Sequence, residues 1–138
     1  MARASKPKVF LETSVLIRFL TKDKKKKYAF VLDLFTKIER GAVRPYVSSV
    51  VILEVVFVLT KVYGFPRKKV ASAVERLLGL RSLVVVEEID TTRALELWKT
   101  GSLPYGDCVI ATQVPFGVQL ATFDGDFNKM SELLLYPW

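Results

Sequence analysis

An α/β sandwich built around a parallel sheet is the fold class this sequence predicts, and three observations carry the prediction. Short apolar runs rich in β-branched residues, such as "KVFLE" and "LVVVEEI", alternate with longer stretches of helical period. That alternation is the pattern of strands joined by crossover helices. With 138 residues, 51% of them hydrophobic, the chain fills one core and falls short of two ordinary domains. No repeat or flexible linker divides it, so residues 1–138 read as a single domain.

Taken in order, each element has its own warrant. "KVFLE" (8–12) predicts a short buried strand, and "TSVLIRFL" (13–20) continues as a helix. "KDKKKKYAFVLDLFTKIERG" opens with lysines and then places Phe30, Leu34 and Ile38 on one helical stripe, stopping at Gly41. "VRPYVSS" (43–49) fits a second strand. The segment from Ser49 to Tyr63 is β-branched enough for a strand, but its length and the Gly64 stop favour a buried helix. Pro66 starts a further helix over "RKKVASAVERLLGL". "LVVVEEI" (83–89) predicts a strand, "TTRALELWKTG" (91–101) a helix, and "GDCVIATQV" (106–114) a helix opening after Gly106. "VQLATFD" (118–124) predicts a strand, and "ELLLYPW" a final edge strand.

Composition narrows the chemistry. The apolar run "VVILEVVFVL" (50–59) is too short to span a bilayer and carries a charge near its centre. The start "MARASKPKVF" lacks the long apolar stretch of a signal peptide. One cysteine, Cys108, leaves no internal disulfide and fits a reducing cytoplasm. Its helical position suits a small core residue better than a reactive thiol. A formal charge of +7 favours polyanionic partners, nucleic acid first. The complete absence of histidine removes Ser-His-Asp and Cys-His pairs, histidine-assisted RNA cleavage and Cys/His zinc sites. A hydrolase of this composition must work through carboxylates, which on phosphodiesters generally means holding Mg²⁺ or Mn²⁺.

The acids fall where that chemistry needs them. Glu12 ends the first strand and Asp124 the strand from Val118, at the carboxyl edge where parallel α/β sheets bind ligands. Asp107 opens a helix, Glu54 lies inside the apolar one, and Asp126 follows Asp124 by two residues. Two carboxylates about 5 Å apart repel by roughly 3 kcal/mol at an effective dielectric near 20, so a converged cluster needs protons or a cation. Each acid also has a plain structural reading. Asp107 after Gly106 reads equally as a helix N-cap, and Asp124-Gly125 as a turn. Glu12 reads as an ordinary strand-end acid. Glu54 fits such a reading least, because a buried unpaired carboxylate is costly; a distant Arg18 is its alternative partner. "DGDFN" begins like a calcium loop but has Lys129 where the loop requires Gly and Leu135 where it closes with Glu.

Read together, "VFLETSVLIRFL", "ILEVVFVLTKVYG", "YGDCVIA" and "LATFDGDF" resemble the PIN-domain family, and within it the VapC-type toxin ribonucleases. That family opens with a strand ending in Asp-Thr-Asn or Asp-Thr-Ser before a "VLI" helix. It continues with a helical Glu near "VLxxxYG", an Asp before an "LIA"-like run, and a "TFDxDF" close. The similarity runs from Val9 to Phe127. It implies a PIN-like α/β/α sandwich with a central, mainly parallel sheet, and metal-dependent endonucleolytic cleavage of RNA. Carried over, Glu12, Glu54, Asp107 and Asp124 match the acidic quartet that holds Mg²⁺ or Mn²⁺, and Asp126 a frequent fifth acid. Ser14 matches a polar residue that orients the site, and Thr122 a hydroxyl near the pocket. The resemblance further implies a small antitoxin partner and self-association, often as a homodimer. One position departs: Glu12 stands where the family has Asp, one methylene longer, and near-octahedral Mg²⁺ sites are sensitive to such shifts. That departure is the support for a rival reading, a catalytically weakened PIN domain that binds RNA or protein. A DNA-directed nuclease of the wider flap-endonuclease-like group is a third, disfavoured by the lack of a DNA-binding insertion. The lysines at 22 and 24–27 read first as a solvated helix start and second as phosphate contacts.

Overall fold

The computed structural model of the protein describes residues 6–22 and 24–138. The first half of the stretch weighed as a signal peptide and Asp23 of the lysine run lie outside the described residues. Five strands, β1 (Lys8–Leu11), β2 (Arg44–Ser48), β3 (Val84–Val86), β4 (Gln119–Ala121) and β5 (Leu134–Leu135), form one sheet. Their order is β3-β2-β1-β4-β5 and every neighbouring pair is parallel. Among the described residues six α-helices flank it: α1 (Thr13–Thr21), α2 (Lys25–Glu39), α3 (Ser49–Phe57), α4 (Arg67–Leu78), α5 (Thr91–Thr100) and α6 (Tyr105–Gln113). The α/β class with a parallel sheet is as the alternating pattern predicts.

The sheet order sets the position of everything functional. From β1 the chain builds outward through β2 and β3, then returns to place β4 on the other side of β1. The reversal lies between β1 and β4, and at such a switch point the loops leaving the two carboxyl ends diverge and open a crevice. The register puts Leu11 opposite Ala121, and the Glu12 N–H donates to the Ala121 carbonyl at 3.1 Å. Val9, Phe10 and Leu11 are all fully buried, so β1 is covered on both faces. The main core joins them to Val15, Leu34, Ile38, Val51, Val55, Leu59, Ile110 and Leu120. A smaller cluster of Ala94, Leu103, Cys108, Val109 and Met130 fastens α5 to α6, with Cys108 in the core role expected of it.

Four expectations change in detail. The strands predicted over 83–89 and 118–124 shorten to three residues each. β3 pairs only with Tyr46–Ser48, where β2 gives way to α3, and β4 ends level with Leu11, where β1 gives way to Glu12. Asp124 therefore lies beyond its strand. The last helix opens at Tyr105 behind Pro104, not after Gly106, because Pro104 sets the entry φ at −55° and Gly in a first turn does not block it. On α2 the buried stripe is Val31, Leu34, Phe35 and Ile38, while Phe30 is 42% exposed and meets Trp138. The apolar segment 49–63 is a helix, extended by a π-helical turn over Val58–Val62 and followed by Gly64 at φ +69°. It is buried along one stripe only, Val51, Val55 and Leu59, and leaves Leu53 and Phe57 67% and 59% exposed.

Candidate metal centre

Glu12 occupies the turn from β1 into α1 and is 5% exposed. Its extended backbone (φ −82°, ψ 161°) turns the side chain back as the N-cap of α1, where its Oε1 accepts from the Ser14 N–H at 3.1 Å. The same oxygen accepts from the Ser14 hydroxyl at 2.5 Å and the Thr122 hydroxyl at 2.6 Å. Each hydroxyl has a single proton, used on Glu12, and each accepts a backbone N–H from the loop after β4. Phe123 donates to Ser14 Oγ at 2.9 Å and Asp124 to Thr122 Oγ1 at 2.9 Å. Ser14 and Thr122 thus tie the carboxyl ends of the two switch-point strands to one carboxylate.

Asp124 leaves that tie and caps the next turn. Its Oδ1 accepts from the Asp126 N–H at 2.9 Å and starts a 3₁₀ turn over Gly125–Lys129, which folds Asp126 back beside it. Asp107 comes from a different element, the first turn of α6, where the helix dipole favours a carboxylate. Pro104 is the N-cap residue of that helix, so Asp107 is not its cap. One carboxylate oxygen from each of Asp107, Asp124 and Asp126 lies within 4.8 Å of the other two. Glu54 projects from α3, half-buried, and its Oε1 accepts from the Thr13 hydroxyl at 3.3 Å.

Electrostatics binds the five acids into one group. Burial first, then the charges of Asp124, Glu12, Glu54 and Asp126, push the Asp107 carboxyl up to about 7. Glu54 is likewise raised, by burial and then by Glu12, with the Thr13 hydrogen bond acting against the shift. The tight trio excludes Glu12 and Glu54, which stand as its electrostatic neighbours. The oxygen-only donor set and the like charges crowded around Asp107 fit a hard divalent cation such as Mg²⁺ or Mn²⁺.

Two residues of the site went unread in the sequence. Thr13, between Glu12 and Ser14, binds Glu54 across 41 positions, and nothing local signals that. Lys129, which disqualifies a calcium loop, lies 3.6 Å from Asp126 as an exposed ion pair. Its position three residues after Asp126 in a helical turn is a signal that sequence alone offers.

The sequence matches the family model of the PIN domain over residues 9–133. Among curated proteins no match was found. Solved structures with the same fold include VapBC2 from Rickettsia felis bound to a DNA fragment from their promoter (TM-score 0.65, 19% identity, 95% of this chain and 98% of that chain). They also include VapC20 of Mycobacterium tuberculosis, a sarcin-ricin loop cleaving toxin (TM-score 0.65, 17% identity, 94% and 99%). FitAcB from Neisseria gonorrhoeae is similar too (TM-score 0.63, 15% identity, 94% and 96%).

Proposed function

The chain belongs to the PIN-domain family, and from that premise we propose that it is a metal-dependent endoribonuclease of the VapC toxin type. The observation that supports this most is the convergence of Asp107, Asp124 and Asp126 within 4.8 Å, with Asp107 pushed up to about 7. In this reading Asp107, Asp124 and Asp126 hold Mg²⁺ or Mn²⁺ directly, and Glu12 and Glu54 complete the acidic wall. Such an ion, when bound, activates water and neutralises charge developing on a phosphate. The residues of the chain do the positioning. Ser14 and Thr122 fix Glu12, the Asp124 cap fixes Asp126, and Thr13 fixes Glu54. The whole of 1–138 acts as one nuclease domain, with RNA as substrate. The VapBC2 likeness supports a small antitoxin partner, and homodimer formation belongs to the same reading. No helix among the described residues is long and apolar enough to cross a membrane; a cytoplasmic site of action is part of the proposal.

A second reading has one observation in its favour. Oε1 of Glu12 already accepts three hydrogen bonds, which suits a structural N-cap in a weakened PIN module that binds RNA or protein. A cleavage assay on structured and single-stranded RNA with Mg²⁺, Mn²⁺ or chelator separates the two. The nuclease reading expects metal-dependent cutting that chelator abolishes. RNA binding with no cutting under any metal selects the module.

A further inference from the structure

Beside the acidic centre lies a second feature that metal chemistry does not use. A cavity of about 340 Å³ is lined by Thr122, Phe123, Asp124, Asn128, Tyr136 and Trp138 among others. Its volume is at the lower end of the ~300–1,000 Å³ usual for small-ligand sites. Its wall is aromatic: the Phe123 and Trp138 rings stack with centroids 4.6 Å apart and planes 19° from parallel, and Tyr136 meets Trp138 edge-on at 5.0 Å. Trp138 is held in place, since its indole N–H donates to the Thr122 carbonyl at 3.1 Å, yet it remains 37% exposed. The lysine-rich start of α2 reaches the same cluster. Lys27 Nζ lies 5.4 Å from the Phe123 ring centroid, and Phe30 packs against Trp138 at 6.3 Å.

We propose that this cavity is a subsite for an unpaired RNA base, stacked on the Phe123–Trp138 platform next to the phosphate engaged at the acidic centre. It rests on the ribonuclease reading in taking RNA as the ligand. Aromatic faces bordered by cations are how proteins hold single strands, because every base has a π-face and every linkage a charge. Here both lie at the edge of the acidic cluster. Asp124 lines the cavity and belongs to the carboxylate trio. Thr122 carries Trp138 on its carbonyl and Glu12 on its hydroxyl. The platform and the metal centre therefore share a backbone segment of three residues, 122–124. Asn128 at the rim supplies an amide that both donates and accepts toward a base edge. The lysines of 24–27, surplus to the metal centre, acquire a role as the phosphate contacts that lead a strand to it.

The protein has two tryptophans, so Trp98→Phe leaves Trp138 as the only indole reporter. In that background with Asp107→Asn to prevent cutting, a mixed-sequence single-stranded RNA octamer is titrated while Trp138 emission is followed. Saturable quenching is expected, with none from an abasic octamer of the same charge. In the Asp107→Asn protein, Trp138→Ala is expected to weaken octamer binding about 10- to 100-fold, the range of one lost base stack, while Trp138→Phe holds it within a few-fold. Equal quenching by the abasic octamer, or unchanged affinity in Trp138→Ala, overturns the subsite. Loss of affinity in Trp138→Phe as large as in Trp138→Ala also overturns it, because a stacking role tolerates the smaller ring. If the wild-type protein leaves RNA uncut under every metal while these binding results hold, the cleavage reading falls and the subsite stands. Metal-dependent cutting without base-dependent quenching has the opposite meaning.

Discussion

Asp107 concentrates the electrostatics of the site in one carboxyl group. Its pKa rises from an ordinary 3.8 to about 7 in the folded protein, so between those values the native state binds a proton that the unfolded chain has released. Linkage then makes metal-free stability fall as pH rises through that window, and the loss is complete above pH 7. Thermal melts in chelator are predicted to show Asp107→Asn stabilised by a few degrees over wild type at pH 8 and indistinguishable near pH 4. Identical pH slopes in the two proteins would contradict the crowded-acid account. Glu54→Gln is predicted to leave the fold intact or slightly firmer at pH 8, since it removes a raised carboxylate that repels Glu12. A large loss of stability in that variant would mean Glu54 serves a structural ion pair. The hydroxyls make a different prediction. Ser14→Ala or Thr122→Val loosens both Glu12 and the Phe123–Asp124 backbone that carries a carboxylate of the trio, and should cost about 10- to 100-fold in Mn²⁺ affinity, as removal of an outer-shell partner does, measured by calorimetry. Unchanged affinity would make that network a helix cap and nothing more.

The apolar helix α3 carries Glu54 to the site, and the stripe of Val51, Val55 and, in the π-helical turn that extends it, Leu59 does the carrying. Spaced four apart, these side chains lie along one face, and their burial fixes the rotation that turns Glu54 toward Thr13 and Glu12. Leu59→Ala is predicted to destabilise by about 2–5 kcal/mol as a core truncation. Leu53→Ala, on the exposed face, should stay within about 0.5 kcal/mol in urea unfolding. Equal losses would mean the segment is buried all round. At this scale the sequence was legible wherever a period or a stop residue spoke, as with Pro66, Gly64 and the strand of Val9, Phe10 and Leu11. It was silent where pairing partners decide, because β3 and β4 stop where β2 and β1 stop, not where their own apolar runs end. Phe30 misled for a related reason: its spacing fits the core stripe of α2, but Trp138, far along the chain, takes it up outside. The five acids were readable as candidates by type and position, whereas Thr13 bound to Glu54 required the fold.

Across the whole molecule, a chain of net charge +7 gathers five acids at one sheet edge and sets lysines beside it. In the proposed nuclease a polyanion is drawn in by the general field while the cluster itself repels it, so that reading requires a cation to mediate the final approach. RNA binding should therefore weaken steeply with salt. If about four lysines neutralise phosphates, the slope of log affinity against log salt is about −3 for a single strand. A slope near zero would remove the lysine segment from the binding surface. The sheet order gives the arrangement its logic, since β1 and β4 part at the switch point and bring Glu12 and Asp124 there from opposite ends of the chain. The most direct test of that centre is single-turnover cleavage of one RNA, followed against Mn²⁺ concentration, by wild type and Asp107→Asn. Wild type is predicted to cut with saturable dependence on Mn²⁺ and to stop in chelator, and Asp107→Asn to lose at least 100-fold at every concentration, no less than an outer-shell loss would cost. Cutting that survives chelator, or an Asp107→Asn protein that cuts at the wild-type rate, would contradict it.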